Sequence, residues 1–292
     1  MDFLEFTEQA RLRVRQFLPE SFRDAEVCIE RVVKNNDQQL TALTVASPDN
    51  RVTPRVYLEG YYEMLKNGMD LESVLETLAK TYLRCGLPES VDLSMLQDFS
   101  KVKHLIVGRL VNRGLNEEFL SDKPFTEFED LAMYYAVRLD RSLSVVITNE
   151  ILDKFGVARD ELHDLAMRNL EESKIRFVRL DTMLARLAGP MFPPLPDEAP
   201  SMYVLTNEDM MYGAVVLASA RKLREVYEEL GCRFMIIPSS VHELIVLPMG
   251  DEITTEYANE MVRSVNSECL DPAEVLSDHV YFYDEETGRV TI

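Results

Sequence analysis

The chain has 292 residues, of which 46% are apolar and 28% are charged, a balance that is typical of a folded globular protein, so a disordered chain is not expected. Its 51 acidic residues outnumber the 31 basic ones and give a net charge of −20. We therefore expect the surface to repel nucleic acids and anionic membranes.

The start of the chain is acidic and amphipathic, which is unlike a secretory signal, and its longest uncharged run (210–220) is too short to span a bilayer. These features predict a soluble, cytoplasmic protein with no membrane association. The four cysteines lie far apart, so neither a zinc site nor a disulfide framework is predicted. Three of them (Cys28, Cys232 and Cys269) lie in apolar, periodic stretches and are expected to be reduced and buried.

The first 86 residues predict a helix, a β-hairpin and two further helices. Apolar residues recur at helical spacing over 2–18. Two β-rich runs over 26–46 flank Asn35-Asn36-Asp37, residue types that tolerate the positive φ of a hairpin turn. Helices are predicted over 56–66 and 71–84, separated by a glycine stop signal and an aspartate cap.

The next hundred residues predict the same arrangement again. Residues 104–111 read as a strand, and 128–139 with 142–148 read as a second hairpin, although 131–136 also fits a helix. Short helices are predicted around 93–99, 116–120, 151–155 and 161–170. The segment 189–200 then places five prolines in twelve residues, which predicts a linker.

The most regular stretch, 202–283, predicts a βαββαβ unit. It combines a strand (202–206), a long helix (207–230), a hairpin (232–247), a second helix (253–269) and a closing strand (279–283). A lone glycine, Gly213, indicates close packing within the first helix. Hairpins with flanking helices thus occur three times without a fixed sequence period. The sequence predicts an α+β protein of mixed α/β layers, divided into 1–188, the linker 189–200, and 201–292.

One polar segment, at the turn of the last predicted hairpin, holds a nucleophile, a base and an acid together: Ser239, Ser240, His242 and Glu243. Acyl transfer needs a serine within hydrogen-bond reach of an oriented imidazole. Serines at a β-turn are more often bonded to backbone. We therefore favour a structural turn, with a ligand site or a catalytic serine as alternatives.

A second acid and imidazole, Asp278 and His279, precede the closing strand. If that strand and the hairpin are neighbours, these residues and His242 with Glu243 converge as an acid–base or metal-binding cluster. The alternative is that Asp278 turns the chain while His279 faces solvent or a hydroxyl. No nucleotide-binding, P-loop, zinc-protease or calcium-loop pattern occurs, so no cofactor and no metal site is predicted.

Several motifs together resemble a bacterial family of unknown function that occurs mainly in clostridia and other Firmicutes. The resemblance covers about residues 20–288 and is carried by the following segments: Arg109-Leu-Val-Asn112 with Asn116, Phe128-Glu-Asp-Leu-Ala132, Ile147-Thr-Asn-Glu150, Met202-Tyr-Val-Leu-Thr-Asn207, Ile237-Pro-Ser-Ser240 with His242-Glu243, and Glu274-Val-Leu-Ser-Asp-His279 with Tyr283-Asp284. It implies an intracellular bacterial protein and implies no activity, cofactor or catalytic residue.

These observations lead to three functional hypotheses. The favoured one is a non-enzymatic binding module, with a protein as its expected partner, because the acidic surface disfavours nucleic acids and membranes. The second is a hydrolase or metal-dependent enzyme with its site around Ser240, His242 and Asp278. The third, weaker hypothesis is an acidic protein that mimics DNA, which requires carboxylates in dense rows along one face.

Overall fold

The structure is a computed structural model that describes residues 1–46, 54–85, 93–140, 143–188, 201–249 and 253–292. Contacts divide this part of the chain into two compact units. The first comprises Met1–Lys34 and Gln38–Leu93, and the second comprises Asn35–Asp37 and Ser94–Ile292. The sheets are antiparallel and are accompanied by helices, which confirms the predicted α+β class. None of the described helices is long and apolar enough to cross a membrane.

The first unit places three helices around a small sheet with the strand order β1-β2-β3. Its elements are α1 (Phe3–Arg13), β1 (Glu26–Val33), β2 (Gln39–Ala46), β3 (Val56–Tyr57), α2 (Glu59–Lys66) and α3 (Leu71–Arg84). The predicted hairpin is confirmed, and Asn36 and Asp37 at its turn have φ of 58° and 49°. The helix predicted from residue 56 begins later, because Val56 pairs with Leu43 in the sheet.

The second unit begins with a four-stranded sheet in which β4 and β5 flank β6, and β7 also pairs with β6. Its elements are α4 (Phe99–Val102), β4 (Ile106–Asn112), α5 (Glu117–Leu120), β5 (Phe125–Phe128), β6 (Leu131–Arg138), β7 (Ser144–Val146), α6 (Asn149–Phe155) and α7 (Arg159–Glu172). The strand alternative for 131–136 is therefore correct. Strand β6 is buried along most of its length, so its apolar residues show no alternation to separate strand from helix.

The second sheet of this unit has six strands in the order β13-β12-β10-β11-β9-β8. Its strands and associated helices are β8 (Ile175–Arg179), α8 (Leu180–Ala188), β9 (Tyr203–Asn207), α9 (Ala220–Leu230), β10 (Phe234–Ile237), β11 (Leu244–Pro248), α10 (Thr255–Glu268), β12 (Tyr281–Asp284) and β13 (Arg289–Thr291). The hairpin of β10 and β11 was predicted, whereas β8, α8 and β13 were not.

Strands β8 and β9 pair with each other, with Arg179 opposite Tyr203. The sheet therefore joins residues from both sides of the proline-rich segment. The segment itself, 189–200, lies outside the described residues. Its role as a linker, and the division into 1–188 and 201–292, remain predictions.

The continuous helix predicted over 207–230 is wrong. After β9 the chain forms a loop, then a 3₁₀ helix (Gly213–Ala218), and only then α9. Met210 and Tyr212 have φ of 56° and 54°, in the left-handed region that a right-handed helix excludes. Helix α9 begins where the Ser219 side chain accepts a hydrogen bond from the Lys222 N–H. The helix was predicted because residues 214–217 are apolar. A buried 3₁₀ turn has the same apolar composition as the buried face of an α-helix.

Gly213 is closely packed, although it begins the 3₁₀ helix and does not lie within the long α-helix for which close packing was predicted. A Cβ there would lie 2.0 Å from the Thr206 Oγ1 and 2.7 Å from both the Asn207 N and the His242 O. Residues 214–217 are buried in a core that also contains Leu110 of β4 and Ile236 of β10. The two sheets of the second unit therefore share one apolar core.

The four cysteines are free thiols. The predicted burial of three of them is wrong, since Cys28 and Cys232 are only half-buried and Cys269 is exposed. Cys269 follows the last turn of α10, where the apolar periodicity of that helix no longer faces the core.

Candidate functional site

The second unit contains a cleft of about 500 Å³, a size that suits a small ligand. It is lined by the first half of β4, by Ser144 of β7, by the end of α7, and by the loop that follows β9. Strand β4 is at the edge of its sheet. The cleft therefore lies where one sheet ends and where two non-glycine residues, Met210 and Tyr212, adopt left-handed backbone conformations. Such conformations concentrate at functional sites.

The central charged group of this cleft is Arg109, on β4 opposite Tyr134 of β6. The residue is only 7% exposed. Its Nη2 donates a hydrogen bond of 2.6 Å to the Ser144 hydroxyl, whereas its Nε is buried without a hydrogen-bond partner. Among the described residues, no carboxylate forms an ion pair with this guanidinium.

A buried cation without a counter-charge is unusual, because desolvation of a charged group costs several kcal/mol unless it is paired and hydrogen-bonded. Surface arginines of the same chain show the usual arrangement. Arg159, for example, donates from Nε and Nη2 to Asp160 Oδ1, at 3.0 and 2.8 Å. At Arg109 the corresponding Nη2 contacts a neutral hydroxyl and the Nε contacts no acceptor. The cleft therefore contains a buried guanidinium whose Nε donor has no protein acceptor.

Two tyrosines stabilise the charge of Arg109 in place of an acid. The guanidinium carbon lies 3.8 Å from the centre of the Tyr212 ring, which is a cation–π contact. Tyr134 is also beside Arg109, and burial raises the pKa of its phenol to about 12 while Arg109 opposes that shift. Tyr134 is therefore a neutral hydroxyl at physiological pH. An incoming anion would meet a cation flanked by aromatic rings.

The loop that carries Tyr212 is fixed by His242, one of the residues singled out from the sequence. The Tyr212 N–H donates to the His242 Nδ1 at 3.0 Å. The His242 carbonyl accepts from the Thr206 hydroxyl at 2.7 Å and from the Gly213 N–H at 3.0 Å. Since the Nδ1 accepts a hydrogen bond, the proton of the neutral imidazole is on Nε2. The imidazole thus positions the ring that covers Arg109.

The two serines of the predicted hairpin turn, Ser239 and Ser240, hydrogen-bond backbone groups of that turn. The Ser240 hydroxyl accepts from the His242 backbone N–H at 3.0 Å, which is the turn interaction favoured from the sequence. The Ser239 N–H donates to the Ile237 carbonyl. Burial raises the pKa of Glu243 above its ordinary value. The His242 Nε2 lies 3.7 Å from a carboxylate oxygen of Glu274.

The predicted partner His279 makes a different set of contacts. Its Nε2–H donates to the Asp130 carboxylate at 3.1 Å, and Asp130 also accepts from the Tyr281 hydroxyl at 2.7 Å and from the Ser277 hydroxyl at 3.3 Å. Burial raises the pKa of Tyr281, which keeps its hydroxyl a donor. Asp278 is exposed. In the part of the chain that the structure describes, no hydrogen bond or ion pair joins His242 to Asp278 or His279.

Three residues that make these contacts were not singled out in the sequence: Arg109, Tyr212 and Asp130. Arg109 and Asp130 stand in two of the segments that carry the family resemblance, and this was the only available signal. Tyr212 was hidden inside the incorrectly predicted helix. Within the described ranges, no group of three or more His, Cys, Asp or Glu side chains is arranged to hold a metal ion.

A family model, described as a family of unknown function (DUF5688), matches residues 3–285. No curated protein and no solved structure matches the chain.

Proposed function

We propose a function for this chain, which belongs to the DUF5688 family, from its own residues, because the description of the family assigns no activity. The protein is a non-enzymatic binding module, and its second unit holds a small molecule by an anionic group in the cleft at Arg109. The anion is a carboxylate or a phosphate monoester, both of which present oxygens to a guanidinium in the same way.

The observation that carries this proposal is the buried, unpaired state of Arg109. The chain has 51 acidic residues, yet in the described structure none of them neutralises this guanidinium. An oxygen placed at the Nε would satisfy the unpartnered donor and would offset part of the cost of burying the charge. The Tyr212 ring and the Ser144 hydroxyl already hold the guanidinium in place, so little reorganisation opposes binding.

The net charge of the protein limits how many anionic groups the ligand can carry. A net charge of −20 repels polyanions from every direction of approach, and Arg109 is a single buried cation. A ligand with one anionic group therefore suits the cleft, whereas nucleic acid or a nucleoside triphosphate does not.

Binding without turnover is favoured over the hydrolase alternative by the positions of the polar groups. The Ser144 hydroxyl contacts Arg109 and the Ser240 hydroxyl accepts from a backbone N–H. The His242 Nδ1 is occupied by the Tyr212 N–H. A serine nucleophile requires a hydrogen bond between its hydroxyl and an imidazole. Within the described residues, neither Ser144 nor Ser240 makes such a bond.

The test is a thermal-shift screen of small carboxylates and phosphate monoesters, followed by calorimetric titration of the hits. We expect Arg109→Gln to weaken binding at least ten-fold, and Arg109→Lys to retain part of it, because lysine keeps the charge and loses the planar fork. Arg168→Gln, at an exposed position of α7, is the matched control. Circular dichroism verifies that each variant is folded. The proposal fails if no carboxylate or phosphate binds, or if a hit binds equally well to the Arg109 variants.

A further inference from the structure

The charged groups that line the cleft differ in how far they are buried. Arg109 is buried, whereas Glu172 and Glu208 are exposed. Glu172 is the last residue of α7, and Glu208 is the first residue after β9. In the described structure neither carboxylate has a hydrogen-bond or ion-pair partner. The cleft therefore has a cation at its buried end and exposed carboxylates at its mouth.

The remaining charges of the lining change this pattern little. Arg138 is neutralised by Asp209, with Nη1 and Oδ2 at 2.6 Å. The Asp140 carboxylate accepts from the Leu143 N–H at 2.7 Å. Among the described lining residues, Lys174 is the cation exposed at the same mouth, where it opposes the two glutamates. Of the described residues, a ligand that reaches from Arg109 to the mouth thus meets the Glu172 and Glu208 carboxylates and the Lys174 ammonium group.

We infer that the ligand of this cleft is a small amino-carboxylate, such as an α-amino acid, whose carboxylate binds Arg109 and whose ammonium group faces Glu172 and Glu208. This inference rests on the proposed function, since it specifies the ligand of the same site. The net charge of −20 supports it, because a zwitterion approaches an acidic protein without the repulsion that a dianion meets. The apolar lining residues Leu105, Leu143 and Val215 suit the carbon skeleton.

The carboxylate and the ammonium group of the ligand contribute unequally to the binding affinity. A carboxylate at a buried guanidinium makes a charge-assisted hydrogen bond in a low-dielectric environment. An ammonium group at exposed glutamates gains only a screened interaction, and we expect it to tighten binding about three-fold at low ionic strength. Replacement of the ammonium by a second carboxylate should weaken binding, because the glutamates repel it.

The experiment titrates the full chain with α-amino acids and with matched analogues that change only the amine. One such series is leucine, 4-methylpentanoate, which lacks the amine, and isobutylmalonate, which has a carboxylate in its place. We expect at least one amino acid to bind about three-fold more tightly than its deamino analogue, and the malonate to bind most weakly. The Glu172→Gln/Glu208→Gln double variant should remove the preference for the amine and leave binding of the deamino carboxylate unchanged. Glu161→Gln, on the same helix and outside the cleft, should change neither.

The outcomes separate this inference from the proposed function. If carboxylates bind in an Arg109-dependent manner but the amine gives no advantage, or if the malonate binds most tightly, the amino-carboxylate inference is overturned and anion binding stands. If the preference survives in the double glutamate variant, the ammonium group does not face these residues and the inference is again overturned. If no carboxylate and no phosphate binds at all, both proposals fail.

Discussion

The guanidinium of Arg109 lies 3.8 Å from the centre of the Tyr212 ring, and this contact joins the edge of one sheet to the loop that leaves the other. It places an aromatic face where a carboxylate would normally neutralise a buried cation. The arrangement leaves the charge of Arg109 available while shielding it from water.

Replacement of Tyr212 by leucine should destabilise the protein by about 1–2 kcal/mol, because a desolvated cation–π contact contributes about that much. Tyr212→Phe keeps the ring and should change the free energy of unfolding by less than about 0.5 kcal/mol. Urea unfolding measures both. Tyr257→Leu, at an exposed position of α10, is the control. An equal loss in Tyr212→Phe and Tyr212→Leu would show that the ring face is not the stabilising element.

Substitution of His242 tests whether its imidazole positions the Tyr212 loop. His242→Ala removes the acceptor of the Tyr212 N–H and should cost about 1–3 kcal/mol in free energy of unfolding. His242→Asn should restore part of that loss, because the Asn Oδ1 can take the place of the Nδ1. The exposed His104 provides the control, since His104→Ala should lie within about 0.5 kcal/mol of the parent. If asparagine were no better than alanine, the Nδ1 hydrogen bond would not be what matters.

Gly213 should tolerate no side chain. In Gly213→Ala the new Cβ would meet a hydroxyl at 2.0 Å and two backbone atoms at 2.7 Å, so we expect a loss of about 3 kcal/mol or more in unfolding free energy. Gly114→Ala is the matched substitution, because its Cβ would meet the Asn112 Oδ1 at an ordinary 3.6 Å. A Gly213→Ala protein as stable as Gly114→Ala would mean that the close approach to Thr206 and His242 is not real.

Among the described acidic residues of the second unit, Asp130 is the one whose substitution we expect to destabilise the protein most. Asp130→Ala leaves the donors of Tyr281, His279 and Ser277 without their acceptor and should cost about 2–4 kcal/mol. Asp278→Ala, beside the same cluster but exposed, should change stability by less than about 0.5 kcal/mol. Chemical denaturation compares the two. A larger loss of stability in Asp278→Ala than in Asp130→Ala would contradict this prediction and would support the cluster around Asp278 that was predicted from the sequence.

Glu243 links stability to pH. Burial is the main cause that raises the pKa of its carboxyl above the ordinary value of 4.5, so the folded state binds its proton more tightly than the unfolded state. The stability that this proton provides is present below about pH 4.5 and is lost as the pH rises through the higher folded-state pKa. Glu243→Gln should therefore be more stable than the parent at pH 7, and the difference should shrink below pH 4.5. Glu229→Gln, exposed on α9, should show no such trend.

The α+β class was predicted correctly from the sequence. Individual elements were predicted correctly where the signal lay within the element itself, as a periodic apolar pattern, a turn motif or a cap. The first hairpin, with its Asn-Asn-Asp turn, and helix α3, with an aspartate cap, are examples. Strands β8 and β13 were missed because they are short and half-exposed, so their apolar pattern is weak. The helix over 207–230 was predicted in error because composition cannot reveal left-handed residues at Met210 and Tyr212.

The candidate site was predicted only in part, because its contacts are long-range. His242 and His279 were singled out in the sequence as candidate site residues. Their actual partners, Tyr212 and Asp130, are separated from them by 30 and 149 positions along the chain, and no spacing rule connects residues so far apart. The burial of Arg109 likewise follows from the 3₁₀ helix and loop that pack beside β4, and not from the alternation of β4 itself.

The pairing of Arg179 with Tyr203 means that the chain leaves the six-stranded sheet and returns to it at adjacent positions. Both ends of the intervening connection are fixed by backbone hydrogen bonds, and lengthening a connection costs little free energy once its ends are held together. A longer connection between Arg179 and Tyr203 is thus expected to leave the register of these two strands unchanged.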